Sequence, residues 1–243
     1  MTSLKTIILC LLLGLSLSAQ PVSASANPTR SKPGKALSDI QITTADLFAK
    51  DGKANLEKSL KEHPDEEVVL TITEESVKAG MFTLHKNDIP SNLKHLVIRD
   101  PDNLVKNIGN NFLRRNSNIV TFKAIEFQSL KAISDGFLAV CMNLTHFDSS
   151  GFTALETIGR EFLFACHGIT HFDSSGFIAV KTIGDEFLDS CTALTHFDSS
   201  GFIVLETIGN DFLLGCTGLI SFDSSGFKAL KTIGNRFLFG RYS

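Results

Sequence analysis

A histidine and an aspartate two residues apart, as in His146-Phe147-Asp148, form the pair of side chains that ligates metal ions and serves general-base catalysis. The string "HFDSSGF" places that pair at His146 and Asp148, at His171 and Asp173, and at His196 and Asp198, while "SFDSSGF" keeps only the acid, Asp223. Catalysis needs unlike groups converging on one atom, usually a nucleophile, a base and an oxyanion donor. A repeat supplies the same pair several times over instead, so no enzymatic activity is expected. No glycine-rich phosphate loop, zinc-ligand spacing or nucleophile elbow accompanies the pairs. Neither a cofactor nor a metal is assigned, although a column of stacked carboxylates favours a cation in principle.

The pairs are positioned by a repeat. Rungs begin at Leu93, Ile119, Leu144, Ile169, Leu194 and Leu219, the first 26 residues long and the others 25. Leu144, Phe147, Phe152, Leu155, Ile158, Phe162 and Cys166 of one rung match Leu194, Phe197, Phe202, Leu205, Ile208, Phe212 and Cys216 of another. A period in the twenties belongs to solenoids, because a rung cannot bury its own apolar side and must stack on its neighbours. The 20 Phe residues, beside one Tyr and no Trp, fit a template copied repeatedly. In "LTHFDSS", Leu144 turns inward at the start of the strand and Phe147 within it, and the period of two sends His146 and Asp148 outward. Parallel strands about 4.8 Å apart then align His146, His171 and His196 in one column, and Asp148, Asp173, Asp198 and Asp223 in the next. Ser149, Ser174, Ser199 and Ser224 either turn inward as small residues or begin the turn, and the pattern allows both.

The segments "LETIGREFLFAC", "VKTIGDEFLDSC" and "LETIGNDFLLGC", with "LKAISDGFLAVC" and "LKTIGNRFLFGR" as near copies, resemble the BspA-type leucine-rich repeat of bacterial and protist surface proteins. The resemblance covers Leu93 to Ser243. It implies an α/β repeat solenoid of the leucine-rich-repeat horseshoe kind, with a parallel sheet on the concave face and short helical or turn segments on the convex face. It also implies adhesion, which makes the His and Asp columns the expected binding face for a protein or glycoprotein. Two features depart from the family: Phe often replaces the aliphatic strand residue, and "DSSG" stands where a Pro-containing turn is common.

Cys141, Cys166, Cys191 and Cys216 occupy one position of successive rungs, with Asn116 in the same place one rung earlier and Arg241 one rung later. A column that accepts Asn reads as a buried ladder bonding turn backbone, not as disulfides. Lys131, Glu156, Lys181, Glu206 and Lys231 alternate in sign from rung to rung, which helps to fix the stacking register and suggests duplication of a two-rung unit.

Before the repeat, Lys5, the apolar "TIILCLLLGLSL" and the small residues of "SAQPVSASA" follow the order of a secretory signal peptide over residues 1–26. "ANPTRSKPGK" opens a linker over 27–37. Residues 38–92 read as a small αβ N-terminal cap: Leu56 and Leu60 lie on one face of a short helix, and "EEVVLTIT" is a strand. Residues 93–243 are the six rungs. With a net charge of −3 there is no basic field for nucleic acid, and no integral membrane segment is expected in the mature chain. Asn143 begins a glycosylation sequon, "NLT". No polar capping rung follows "FLFGRYS", so association of copies through the C-terminal edge is a further expectation. The sequence therefore points to a secreted or surface-associated binding module. A secreted effector or enzyme inhibitor and a self-associating structural component are the alternatives.

Overall fold

Short runs that alternate inward and outward residues stack into parallel strands when the same run returns every rung. The computed structural model describes residues 39–240. The signal peptide expected over 1–26, the linker expected over 27–37, Ser38 and residues 241–243 lie outside the described residues. The fold is a repeat solenoid of parallel strands. Its first wall is built from β1 (Ile40–Thr43), β2 (Glu67–Thr71), β4 (His95–Arg99), β6 (Thr121–Ile125), β8 (His146–Asp148), β10 (His171–Asp173), β12 (His196–Asp198) and β14 (Ser221–Phe222). Hydrogen bonding joins these as a five-stranded sheet, β1 to β8, and a three-stranded sheet, β10 to β14.

The second wall is one seven-stranded sheet of two-residue strands. These are β3 (Met81–Phe82), β5 (Asn107–Ile108), β7 (Ala132–Ile133), β9 (Thr157–Ile158), β11 (Thr182–Ile183), β13 (Thr207–Ile208) and β15 (Thr232–Ile233). The register is in phase with the sequence repeat: Phe172 pairs with Phe197, and Ile183 with Ile208. Toward the N-terminus the offset between paired residues lengthens, to 26 for Leu96 and Phe122 and to 28 for Val68 and Leu96. Strands β1 and β2, within the segment expected as a cap, thus continue the same sheet as the rungs.

A third wall closes each rung, and here the structure differs from the expected helical or turn segments by being turn throughout. Leu113, Leu138, Leu163, Leu188, Leu213 and Leu238 all adopt left-handed backbone, with φ between 50° and 56°. Such a conformation costs an L-residue roughly 1–2 kcal/mol. Two gains offset it: Leu113 to Leu213 bury their side chains, and the N–H of each bonds back to the previous rung, as Leu138 does to the Phe112 carbonyl at 2.8 Å. The residue two places later bonds forward, Val140 N–H to the Phe164 carbonyl at 2.7 Å. A segment this short cannot supply its own helical hydrogen bonds, so the rungs above and below satisfy its backbone instead.

Among the described residues, helix is confined to α1 (Thr44–Phe48), α2 (Gly52–Glu62) and a 3-10 turn at Glu74–Ser76. Helix α1 starts at a capping box, where Thr43 accepts from the Asp46 N–H at 3.0 Å and the Asp46 carboxylate reaches back to the Thr43 N–H. Helix α2 buries Leu56 and Leu60, four apart on one face. No helix among the described residues is long and apolar enough to cross a membrane.

Phenylalanine fills the interior in columns. Phe112, Phe137, Phe162, Phe187, Phe212 and Phe237 stack with ring centroids 5.2–5.3 Å apart. The Phe172, Phe197 and Phe222 rings stack beside them, meeting the first column edge to face, as Phe172 does Phe187 at 5.5 Å. Stacked and edge-on pairs of this kind contribute about 0.5–1.5 kcal/mol each beyond the area they bury. The Phe-rich composition is therefore the core repeated once per rung.

Candidate functional site

The strand "HFD" gives the first wall its two faces. Phe172 and Phe197 are buried, while His171 and His196 on the same strands are exposed. Pairing puts His146 beside Thr121, and His171 beside His196, which faces Ser221. The three histidines so lie along one outer row, with Asp148, Asp173, Asp198 and Asp223 along the next. The rows line a groove of about 1040 Å³ that also takes in Glu67, Thr121 and Lys123. The groove crosses the point between β8 and β10 where the hydrogen-bonded sheet divides.

Each histidine is oriented by the threonine before it. His146 Nδ1 lies 2.8 Å from Thr145 Oγ1, His171 Nδ1 2.9 Å from Thr170 Oγ1, and His196 Nδ1 2.8 Å from Thr195 Oγ1. The Thr145 hydroxyl donates to the Val120 carbonyl at 3.1 Å and that of Thr195 to the Thr170 carbonyl at 2.8 Å. A hydroxyl whose proton is committed to a carbonyl can only accept from the imidazole. This hydrogen-bond network assigns the proton of neutral His146 and His196 to Nδ1 and leaves Nε2 as an acceptor. The His171 and His196 rings stack with centroids 4.6 Å apart and planes 3° from parallel.

The aspartates have a structural task as well as an exposed one. In every copy one carboxylate oxygen accepts the N–H of the serine two residues on: Ser150 to Asp148 at 2.8 Å, Ser175 to Asp173 at 2.7 Å, Ser200 to Asp198 at 2.7 Å and Ser225 to Asp223 at 2.9 Å. This is the side-chain turn that Asp favours at a strand end. Lys123, from the preceding rung, reaches the other Asp148 oxygen at 3.3 Å. Burial alone would raise the Asp148 carboxyl, but the hydrogen bonds of Ser150 and the Lys123 ammonium outweigh it and hold the group below the usual range.

Three of the four serines resolve inward, while Ser224 is half-buried. Ser149, Ser174 and Ser199 are buried, and their hydroxyl oxygens accept from Gly176, Gly201 and Gly226 of the next rung at 3.2, 3.0 and 3.0 Å. Glycine is required there by close approach, since a Cβ on Gly201 would sit 1.8 Å from the Ser174 carbonyl oxygen. "HFDSSGF" is thus a corner: Phe for the core, Asp for the turn, Ser and Gly for the seam between rungs.

The cysteine ladder lies elsewhere, under the third wall. Cys141, Cys166, Cys191 and Cys216 are free and buried, and each thiol donates to the carbonyl of a leucine, from Cys141 to Leu113 at 3.2 Å through Cys216 to Leu188 at 3.0 Å. Asn116 serves the same turn one rung earlier by accepting the Asn118 and Ile119 N–H groups. Burial pushes the Cys141 and Cys216 thiols up to about 12 and raises those of Cys166 and Cys191 well above the ordinary thiol value, so they are poor nucleophiles. Among the described residues no group of three or more His, Cys, Asp or Glu is placed to hold a metal ion.

Sequence reasoning missed the threonines that orient the histidines and the reach of the groove to Glu67, Thr121 and Lys123. The signal for the first was present, because Thr145, Thr170 and Thr195 recur with their histidines. The second depended on the direct pairing of β6 with β8, which sets Lys123 beside Asp148. No family model matches this chain, and searches of curated proteins and of solved structures returned no match.

Proposed function

We propose that the chain is a secreted or surface-associated binding module, related in kind to the BspA-type leucine-rich repeats, that engages a protein or glycoprotein through the outer face of the first wall. The single observation that carries this reading is the groove along the His and Asp rows, with side chains held in register from rung to rung. An array of identical groups at strand spacing, about 4.8 Å, suits an extended ligand touched at several points better than a reacting centre touched at one. The reading assigns no catalysis and no cofactor. The buried thiols and the serine-glycine seams support the array without facing a ligand.

The test is capture of partners from cell-surface and matrix extracts by the full chain, beside a variant with His146, His171 and His196 changed to Ala. Partners held by the parent and lost by the variant, at unchanged melting temperature, are the expected result. Equal capture by both proteins would move the site off the first wall.

A further inference from the structure

The groove is electrically lopsided. Its lining carries five carboxylates, Glu67, Asp148, Asp173, Asp198 and Asp223, against one ammonium, that of Lys123. Lys123 is spent on the first aspartate of the row. Asp173, Asp198 and Asp223 form no ion pair among the described residues, and their partners are hydroxyl and N–H groups of their own turns. Beside them, the Thr-His pairing leaves imidazole Nε2 of His196 as a second acceptor pointing away from its threonine. One wall thus offers acceptors in two parallel rows and almost no donors.

We infer that this face docks an extended, lysine- or arginine-rich protein segment that runs across the rungs and sets its cationic groups against Asp173, Asp198 and Asp223. The inference rests on the reading of the first wall as the binding face and adds the chemistry of the partner. The chain itself shows the contact in miniature: Lys123, on the neighbouring strand β6, pairs with Asp148 across the sheet and meets its carboxylate at 3.3 Å. The partner repeats that contact three more times. In an extended segment alternate side chains leave the same face about 7 Å apart, against a rung spacing of about 4.8 Å, and the flexible stems of Lys and Arg absorb the mismatch. Like carboxylates stacked at rung spacing repel one another, so a cation that bridges neighbours gains from two at once. The geometry is that of an ammonium between two acceptors, without a covalent step.

The experiment measures binding of the full chain to a synthetic peptide with lysine at alternate positions, with the glutamate analogue as control. Binding to the lysine peptide alone, weakening about tenfold or more between 50 and 500 mM salt, is expected. The variant Asp173→Asn, Asp198→Asn, Asp223→Asn keeps the oxygen that accepts each serine N–H, so it should melt like the parent yet lose at least about tenfold in affinity. Lys123→Met releases Asp148 and should tighten binding severalfold, a gain that a misfolded protein cannot imitate. Salt-insensitive binding, or full affinity in the triple Asn variant, would overturn the cationic partner. If natural partners are nonetheless lost on changing the three histidines, the binding face stands and only its proposed chemistry falls. Loss of binding on adding a chelator would likewise overturn the inference in favour of a divalent ion.

Discussion

Along the edge of the second wall Lys131, Glu156, Lys181, Glu206 and Lys231 alternate, and Glu156 sits between Lys131 at 3.0 Å and Lys181 at 2.8 Å. Along the first wall Asp148, Asp173, Asp198 and Asp223 repeat one sign, and only Asp148 meets a cation. Both columns hang on the same core and obey the same rung spacing. The alternating column settles its electrostatics within the chain, whereas the uniform column leaves three charges to solvent or to a partner. A repeat that can alternate sign in one column and does not in another separates residues that stack the solenoid from residues that face outward.

The comparison breaks most completely if the shared core fails. Phe187→Ala removes a ring stacked on Phe162 and Phe212 and edge-on to Phe172, and should cost about 3–5 kcal/mol by denaturant titration. Gly201→Ala acts on the first wall alone: with its Cβ 1.8 Å from the Ser174 carbonyl oxygen the rungs must part, and a loss of about 3 kcal/mol is expected. Hydrogen exchange should then report opening around β10 and β12 before the second wall responds. Ser174→Ala leaves the buried Gly201 N–H without its acceptor, at a cost of about 1–2 kcal/mol in the same titration.

Two milder changes sharpen the contrast of charge. Lys181 first and Lys131 second hold the Glu156 carboxyl down to about 2, below its ordinary value of 4.5. A depressed folded-state value stabilises above the unfolded value and ceases to do so as pH falls toward the folded one. Glu156→Gln should therefore melt slightly lower than the parent at pH 7, with the gap closing between pH 4.5 and pH 2. Asp198→Asn removes a like charge and keeps the turn, so its melting temperature should equal the parent's or rise slightly. A fall as large as that of a buried serine would show that the carboxylate itself holds the wall together.

The rungs were legible in the sequence because their apolar letters return in phase, and the pairing of Phe172 with Phe197 and Ile183 with Ile208 follows that phase. The strand at β2 was legible as "EEVVLTIT", but β1 and the continuity of both with the rung sheet were hidden for the opposite reason: their offset of 28 and a helix-bearing insertion share no letters with the later rungs. The third wall was illegible because left-handed leucines leave no composition signal, and the backbone bonds that stabilise them go to other rungs. Ser174 was ambiguous from its own strand, since its acceptor role is defined only by Gly201 of the next one. The outward row of histidines followed from a period of two, but the groove they share with Lys123 required the packing of neighbouring rungs.

The four thiols turn the solenoid into its own reporter. Each is buried and protonated at neutral pH, one per rung from Cys141 to Cys216. An alkylating reagent can reach a given sulfur only when its rung opens, so four labelling rates read at four sites give a profile of breathing along the axis. A ligand seated on the first wall would slow that clock at the rungs it spans, and thereby mark its own footprint.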